Sequence, residues 1–399
     1  MNDGMKYCFL LLFLLTYIFL PAQSYKQLHE KAIVTDSHND ILSTCIEKHY
    51  SFDDDLKGKT HSDLKRMREG GIDVQVFSIW CDGSFGKGQA FARAIQEIDT
   101  LYAAAARDPV KMKIVKNYTD LQDALQHHQL AAMMGVEGGH MIEDNMDYLD
   151  SFHQRGVCYM TLTWNNSPSW ATSARDETHD SLLHQPKGLN DFGKEVVKRM
   201  NAIGMMVDVS HVGEQTFWDV INTTTKPVIA SHSDAYALCP VARNLKDSQI
   251  VAIAKNGGVI DVNFYPGFID SSFERKSDAF DARHKAERDS LLKINPESYY
   301  ASDYLYTKYK DEIQAMRPPL SMLIDHIDYL VKLAGIDHVG LGSDLDGISI
   351  TPLQIDDITD YPLITRELMK RGYSDKDIRK ILGENFLRVY KENQSGVVK

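Results

Sequence analysis

Histidine and carboxylate side chains follow several short apolar segments of this sequence. In the segment TDSHNDIL, His38 and Asp40 are separated by one residue. Residues i and i+2 of a β-strand point to the same face, so an imidazole and a carboxylate would project side by side if this segment ended a strand. Both groups are common zinc ligands. A single H-x-D pair is a weak signal, because a polar strand end without a metal has the same residues.

Four more residues of these kinds follow other apolar segments. Glu137 lies in GVEGGH, His211 in VDVSHV, His232 in IASHSDA and Asp344 in GLGSDLDG. Each one, taken alone, fits a hydrogen-bonded or salt-bridged polar residue better than a metal ligand. Three histidines and three acids that meet in one place would suit a two-metal site of the zinc type. Whether these residues form a metal site therefore depends on whether the fold brings them together.

Short apolar segments alternate with stretches of helical period along most of the chain. Near-continuous apolar runs are typical of parallel strands that are buried on both faces. Eight such strands alternating with helices predict an α/β fold, a (β/α)8 TIM barrel, with two extra C-terminal helices (357–372 and 374–393) and a long insertion after strand 7, about 267–319. The predicted strands are 32–38, 73–80, 131–137, 157–164, 204–211, 227–233, 257–264 and 338–344.

The barrel would bring the candidate ligands together, because the carboxyl ends of all its strands open on one face. The strand of Glu137 lies between the strand of His38 and Asp40 and the two later histidine strands, so Glu137 is the natural bridging ligand. We expect one zinc ion on His38, Asp40 and Glu137 and a second on Glu137, His211 and His232. A water shared by the two ions would ionise to hydroxide near neutral pH.

Further residues are suited to proton transfer and to substrate binding. Asp344 would accept the proton of the attacking water and pass it to the leaving group, so Glu137 and Asp344 form the expected catalytic pair. Arg243, in CPVARNLKD, could bind a substrate carboxylate with two hydrogen bonds, although a salt bridge to Asp247 fits it equally well. Tyr265 could supply a hydroxyl group, or only an aromatic wall.

The first residues, MNDGMKYCFLLLFLLTYIFLPAQSYK, have the pattern of a secretory signal. Lys6 precedes an apolar run that is short for a membrane span, and small residues near Ala22 suit a cleavage site. We expect residues 1–24 to be a signal peptide and residues 25–399 a single exported domain, periplasmic or secreted, without a stable membrane anchor. An uncleaved N-terminal anchor is the alternative.

Composition argues against several partner classes. The net charge is −12 and no basic cluster is present, which argues against nucleic acids and anionic membranes.

Cys45, Cys81, Cys158 and Cys239 are widely spaced, and a chain of this length needs no disulfide framework. Buried free thiols are the expectation, with one or two bridges as the alternative. A homodimer is compatible with the sequence, which does not decide the oligomeric state.

Seven motifs of the sequence resemble those of the membrane (renal) dipeptidase family, a branch of the amidohydrolase-type metal-dependent barrels. They are DSHND, GVEGGH, TLT-x-N-N, DVSHV, PVIASHSDAYALCPVARN, VNF and VGLGSDLDG. The similarity extends over residues 32–391 apart from much of 267–319. It implies a binuclear zinc peptidase that cleaves dipeptides, with Arg243 and Asp344 contacting the substrate. The residues that match the family's zinc ligands are His38, Asp40, Glu137, His211 and His232.

Trp164 departs from the family pattern. Mammalian members carry a histidine at this point, in a TLTH context, which polarises the substrate carbonyl, whereas this chain reads TLTWNN. An indole donates one hydrogen bond but cannot act as a cation, so Asn165 or Asn166 would share its role in substrate binding. The insertion is also unlike that of the mammalian members.

Three functional hypotheses follow from these observations. The leading one is a zinc-dependent dipeptidase acting on small dipeptides, L,D-dipeptides among them. The second is a related metal-dependent amidohydrolase acting on N-acyl amino acids, and the third is a catalytically silent protein that binds a peptide or a metal. Asp344 is present beside all five expected ligands, which argues against the silent protein.

Overall fold

The structure, a computed structural model, describes residues 21–179, 183–296 and 298–395. Within these residues, nine parallel strands form one sheet in which eight follow the order β1-β2-β4-β5-β6-β7-β8-β9, while β3 pairs with β4 outside this path. The strands are β1 (Thr35–Asn39), β2 (Val74–Trp80), β3 (Met112–Ile114), β4 (Leu130–Glu137), β5 (Val157–Thr161), β6 (Met206–Asp208), β7 (Ile229–Ala230), β8 (Val259–Val262) and β9 (Val339–Leu341).

The path of eight strands closes almost completely into a barrel. Beyond the end of β9, the backbone N–H of Asp344 donates to the carbonyl of His38 at 3.0 Å, and that of Asp40 donates to the carbonyl of Leu345 at 2.9 Å. The predicted (β/α)8 barrel is confirmed. Each predicted strand overlaps an observed one, but most observed strands are shorter because the backbone leaves the sheet before it reaches the polar residues. The short strand β3 was not predicted, since the sequence MKI is too short to show a period.

Helices precede β1, occupy the connections between the strands and follow β9. They are α1 (Pro21–Lys31), α2 (Ile41–Lys48), α3 (Leu64–Glu69), α4 (Ala90–Arg107), α5 (Tyr118–Gln126), α6 (Met146–Gln154), α7 (Ala174–Thr178), α8 (Asp191–Ile203), α9 (Glu214–Thr223), α10 (Asp247–Asn256), α11 (Pro266–Ile269), α12 (Phe273–Ile294), α13 (Ser298–Lys308), α14 (Lys310–Met316), α15 (Leu320–Ala334), α16 (Pro362–Lys370), α17 (Asp375–Arg379) and α18 (Asn385–Gln394).

The main apolar core lies between the sheet and these helices. In α4, Ala90, Ala94, Ile98 and Leu101 are buried at spacings of four and three residues, so they form one stripe that faces the barrel. All eight residues of β4 are buried, as expected of a central parallel strand covered on both faces.

The insertion after β8 is helical and comprises α11 to α14. Its helices enclose a small apolar cluster that includes Phe273, Phe280 and Leu305, and Ile350 from the loop after β9 joins this cluster. An ion pair of 2.7 Å between Lys48 and Asp303 connects α13 to α2. The insertion therefore packs on the loops at the carboxyl end of the barrel.

The C-terminal region differs from its prediction. The predicted helix 357–372 corresponds to a 3-10 turn followed by α16, but the prediction of one continuous helix over 374–393 is wrong, because a π-helical turn, Lys380–Glu384, separates α17 from α18. A Cβ atom on Gly383 would lie 2.5 Å from the carbonyl oxygen of Ile33 and 2.6 Å from Oγ1 of Thr35. This close approach to the chain at the start of β1 accounts for the break.

The structure tests the prediction about the cysteines but describes little of the predicted signal peptide. The four cysteines Cys45, Cys81, Cys158 and Cys239 are buried and free, so the expectation of free thiols is confirmed. The predicted signal peptide, 1–24, lies mostly outside the described residues. Among the described residues, no helix has the length and apolar character needed to cross a membrane.

Candidate metal centre

Glu137, at the carboxyl end of β4, lies at the centre of the predicted ligands. Its Oε1 is 2.9 Å from Nε2 of His211 and 3.4 Å from Nε2 of His232. Its Oε2 is 3.3 Å from Nε2 of His38, which in turn is 3.4 Å from Oδ2 of Asp40. One oxygen of Glu137 thus faces His38 and the other faces the two later histidines.

The donor atoms of this cluster fit one or more bound cations. Nε2 of His38 is buried and has no hydrogen-bond partner, and Nε2 of His211 lies only 2.9 Å from Nε2 of His232. Nitrogen and carboxylate donors crowded together in this way, away from water, need positive charge between them. A mixed imidazole and carboxylate set is one that zinc accepts.

His38 is oriented by Tyr159, on β5. The Tyr159 hydroxyl donates to the backbone carbonyl of Ser37 at 3.0 Å, so at 2.9 Å from Nδ1 of His38 it must accept the hydrogen bond. The Nδ1 atom therefore carries the proton, and the lone pair of Nε2 points at Glu137 and Asp40. This is the tautomer that a metal ligand requires.

His232 is oriented in the same manner by a serine and an aspartate. The Ser231 hydroxyl donates to Oδ2 of Asp208 at 2.6 Å and lies 2.8 Å from Nδ1 of His232. The serine therefore accepts a hydrogen bond from Nδ1–H, which leaves the Nε2 lone pair of His232 directed at the centre. Asp208 is itself held by the backbone N–H groups of Ser210 and Ser231.

Burial and neighbouring charges set the protonation states of the cluster. Burial raises the pKa of Glu137, but the nearby His38, His211 and His232 outweigh it and hold this pKa well below the usual range. Burial, together with the charge of Arg243, lowers the pKa of His211 to about 4. An ionised carboxylate and a neutral imidazole are the forms that bind metal ions.

The carboxylates around His38 favour positive charge beside its Nε2 atom, which either a proton or a bound cation can supply. Burial lowers its pKa, but Tyr159, Glu137 and Asp40 together outweigh burial and raise it well above the usual value. The donor atoms of His38 take part in two clusters, one with Glu137 and His232 and one with Asp40 and Asp344, and within each cluster they lie no more than 4.8 Å apart.

Asp344 borders the cluster on the side of Asp40. It has a left-handed backbone conformation with φ of +60°, which is uncommon for a residue with a side chain. Its Oδ2 accepts a hydrogen bond of 2.9 Å from the Asn263 side chain. Burial, and then the charge of Asp40, raise the pKa of Asp344 well above the usual range. This carboxyl group therefore keeps its proton to higher pH than an ordinary aspartate does.

A cavity of about 1000 Å³ opens over the cluster and includes the predicted substrate residues Arg243, Trp164 and Tyr265 in its wall. The Arg243 guanidinium donates to the carbonyl of His232 at 3.2 Å and to the Ser233 hydroxyl at 3.4 Å, and its Nε has no partner. No carboxylate of the described residues forms an ion pair with it. The alternative bridge to Asp247 is not observed, since Asp247 instead accepts from the Tyr329 hydroxyl at 2.9 Å.

The other predicted substrate residues form aromatic walls. Trp164 packs edge-to-face on Trp80, with ring centroids 5.1 Å apart, and both rings line the cavity. Asn165 lines the cavity as well, whereas the Asn166 side chain packs against Gly83. The Tyr265 hydroxyl donates to Oε1 of Glu274 at 3.1 Å, so it is engaged within the insertion.

The residues that orient the ligands were not found from the sequence. Ser231 directly precedes His232, and this adjacency is a signal that could have identified it. Asp208 and Asn263 lie in the motifs DVSHV and VNF, but nothing in those motifs shows that they contact Ser231 and Asp344. Tyr159 reaches His38 only through the closed barrel.

The chain matches the membrane dipeptidase family, peptidase family M19, over residues 22–397. An uncharacterised dipeptidase of Schizosaccharomyces pombe is 30% identical over 394 residues, which is 94% of this chain and 84% of the relative. The fold is similar to that of the probable dipeptidase PvdM from Pseudomonas aeruginosa, at 26% identity, a TM-score of 0.75 and coverage of 93% and 98% of the two chains.

A metallopeptidase from Rhodobacter sphaeroides, solved with a phosphinate mimic of the dipeptide L-Ala-D-Ala, shares the fold with a TM-score of 0.73. It is 22% identical, and the match covers 91% of this chain and all 100% of that one. The match of the family over nearly the whole sequence, together with the barrel and the buried ligand cluster, leads to one conclusion: the chain belongs to the membrane dipeptidase family and is a hydrolase of the metallopeptidase type.

Proposed function

We propose that this protein is a zinc-dependent dipeptidase that hydrolyses the amide bond of small dipeptides with two zinc ions bridged by Glu137. The observation that carries the proposal is the position of Glu137, whose two carboxylate oxygens face different histidines at 2.9–3.4 Å. His38 and Asp40 would hold one ion, and His211 and His232 the other. The pair of ions would supply a water activated for attack near neutral pH.

The residues around the centre would handle the proton and the substrate. Asp344 borders the ligands and has a raised pKa, so it would take up the proton of the attacking water and deliver it to the leaving amine. Arg243 would bind the carboxylate of the substrate through its guanidinium group, whose Nε–H has no protein partner. Trp164 and Asn165 would border the substrate near the scissile amide.

The position of Arg243 supports a short substrate. Its guanidinium donates to the backbone carbonyl of His232, one of the proposed zinc ligands, at 3.2 Å. The carboxylate site and the amide-cleaving centre are therefore next to each other, which favours a dipeptide over a longer peptide. The relative solved with a mimic of L-Ala-D-Ala supports including L,D-dipeptides among the substrates.

A panel of L,L- and L,D-dipeptides tests this proposal, with N-acetyl amino acids as the comparison. We expect hydrolysis of dipeptides that a chelator abolishes and added zinc restores. The absence of chelator-sensitive turnover on every dipeptide would refute the proposal, and turnover of N-acetyl amino acids alone would favour the amidohydrolase. Elemental analysis of the purified protein is expected to find two zinc ions per chain, and a single ion would contradict the bridging role of Glu137.

We also propose that the protein is exported. The support is the sequence pattern, in which Lys6 precedes the apolar run 8–20 and small residues follow it. Sequencing of the N-terminus of protein recovered from the native host should find a start near Tyr25, whereas an intact Met1 in intracellular protein would contradict export.

A further inference from the structure

The cavity over the ligand cluster has room for more than the backbone of a dipeptide. Its volume of about 1000 Å³ lies at the upper end of the range for small-molecule sites, roughly 300–1,000 Å³. Part of its wall comes from the segment after β8 and from the insertion, which contribute Phe268, Phe273 and Tyr306. The loop after β9 adds Ile348 and Ile350 to the same wall.

The apolar residues in this part of the wall pack against one another. The Tyr265 ring packs edge-to-face on Phe268 at 5.0 Å and on Phe273 at 5.7 Å between centroids. Ile350 and Phe273 belong to the same buried cluster of the insertion, and the Tyr265 ring packs against that cluster. The aromatic wall, defined here as Tyr265, Phe268, Phe273 and Ile350, thus rests on the core of the insertion.

Hydrogen bonds to two other elements hold the aromatic wall in place. The Asn244 side chain, on the loop that carries Arg243, donates to the carbonyl of Phe268 at 2.8 Å. The Cys239 thiol donates to the carbonyl of Gly267 at 3.3 Å, and His326 on α15 lies 3.2 Å from the carbonyl of Ile269. A wall that is already fixed loses little conformational entropy when a ligand packs on it.

The aromatic wall is next to the proposed carboxylate site. The guanidinium carbon of Arg243 lies 5.2 Å from the centroid of the Phe268 ring. When a carboxylate binds the Arg243 guanidinium, the α-carbon attached to it is one bond away, so the side chain on that α-carbon comes within reach of Phe268. The residue that carries the carboxylate is the C-terminal residue of a dipeptide.

We propose that the aromatic wall is a subsite for the side chain of the C-terminal residue, and that the preferred substrates are dipeptides ending in an aromatic or branched aliphatic residue. This inference rests on the proposed dipeptidase function. Each methylene group placed in an apolar subsite changes kcat/KM by about tenfold or more. We therefore expect Ala-Leu and Ala-Phe to be hydrolysed at least about tenfold more efficiently than Ala-Gly.

Substitution of Phe268 tests the subsite. In Phe268→Ala, the ratio of kcat/KM for Ala-Leu to that for Ala-Gly should fall about tenfold, because the leucine side chain loses its main contact. Phe268→Leu should keep most of the ratio, since it keeps an apolar wall. Phe85→Ala is the matched control, because Phe85 lines the same cavity from the loop after β2 and is 37% exposed, so its loss should leave this ratio unchanged.

The outcomes separate failure of the subsite from failure of the proposed function. If the wild-type protein hydrolyses no dipeptide, the dipeptidase function fails and the subsite with it. If it hydrolyses dipeptides without preference at the C-terminal residue, or if Phe268→Ala slows Ala-Leu and Ala-Gly equally, the subsite is refuted while the dipeptidase function stands. If Phe85→Ala changes the ratio and Phe268→Ala does not, the side chain binds near Phe85, and the assignment to the aromatic wall is refuted.

Discussion

Among single residues, hydrogen bonds at Nδ1 make two histidines of the ligand cluster, His38 and His232, present a lone pair at Nε2. Tyr159 and Ser231 both donate to another acceptor, and so both must accept from the Nδ1–H of a histidine. Such groups behind a ligand commonly change metal affinity by about 10–100-fold when they are removed. The Tyr159 hydroxyl is buried inside the barrel and needs hydrogen-bond partners there, which Ser37 and His38 supply.

Tyr159→Phe should lower zinc affinity by about 10–100-fold, because His38 loses the partner that fixes its tautomer. A competition titration with a chromogenic chelator measures this change. Tyr390→Phe is the matched control, since Tyr390 is fully buried and its hydroxyl has no hydrogen-bond partner. Equal zinc affinities in wild type and Tyr159→Phe would contradict the orienting role.

Asp344→Asn should keep both zinc ions and lose turnover. An amide of the same shape can accept the Asn263 hydrogen bond, but it cannot take up a proton. Loss of a general acid–base group typically lowers kcat by about 10²–10⁴-fold. Zinc content and kcat are measured on the same sample. Undiminished kcat would remove Asp344 from the reaction, and loss of zinc would instead make it a ligand.

At the scale of elements, neighbouring strands must leave room for the residues that support the site. Gly135 on β4 pairs in register with Tyr159 on β5. A Cβ atom at Gly135 would lie 2.0 Å from Cζ of the Tyr159 ring, so the ring occupies the place of the missing side chain. A glycine in one strand thereby positions the phenol that orients a ligand on another.

Gly135→Ala should push the Tyr159 ring away from His38. We expect the free energy of unfolding to fall by about 1–3 kcal/mol from overpacking, and zinc affinity to fall as in Tyr159→Phe. Urea denaturation and the chelator competition titration measure the two effects. In the double variant Gly135→Ala with Tyr159→Phe, zinc affinity should fall little further than in either single variant, whereas independent, additive losses would show that the glycine does not act through the tyrosine.

At the scale of the whole molecule, one buried histidine joins the insertion segment to the barrel loops. Nδ1 of His326 accepts from the backbone N–H of Ala235 at 3.2 Å, and its Nε2–H donates to the carbonyl of Ile269 at 3.2 Å. The ring is therefore held in its neutral form. Burial lowers the pKa of His326 to about 4.

This lowered pKa predicts a loss of stability in acid. Between pH 6.5 and about 4, the unfolded chain takes up a proton at this histidine and the folded chain does not, so the free energy of unfolding falls as the pH falls. The contribution is on the order of 2–3 kcal/mol at pH 4. His326→Gln can make both hydrogen bonds without titrating, so the difference between its stability and that of the wild type should change with pH. Urea denaturation at pH 7 and pH 4.5 measures this, and a constant difference would contradict the assignment.

Much of the fold and the meeting of the candidate ligands at one face could be predicted, because both depend on local signals. Apolar runs, helical periods and the residues that follow them showed eight strands with His38, Asp40, Glu137, His211, His232 and Asp344 at or just beyond their ends. The topology of a parallel barrel then requires those ends to meet. The short strand β3 and the π-helical turn near Gly383 were not predictable, because one is too short to show a period and the other depends on contact with the start of β1.

Local patterns in the chain indicate the residue types of the candidate ligands and the face of the barrel on which they lie, because strand period and chain order are local properties. The residues that orient the candidate ligands are visible in the folded barrel alone, since Tyr159 and Asp208 act across strands. The folded structure also shows that Arg243 forms no salt bridge with Asp247, which accepts from Tyr329, and that Arg243 lines the cavity. Distances between residues far apart in sequence follow from packing, which no local pattern records.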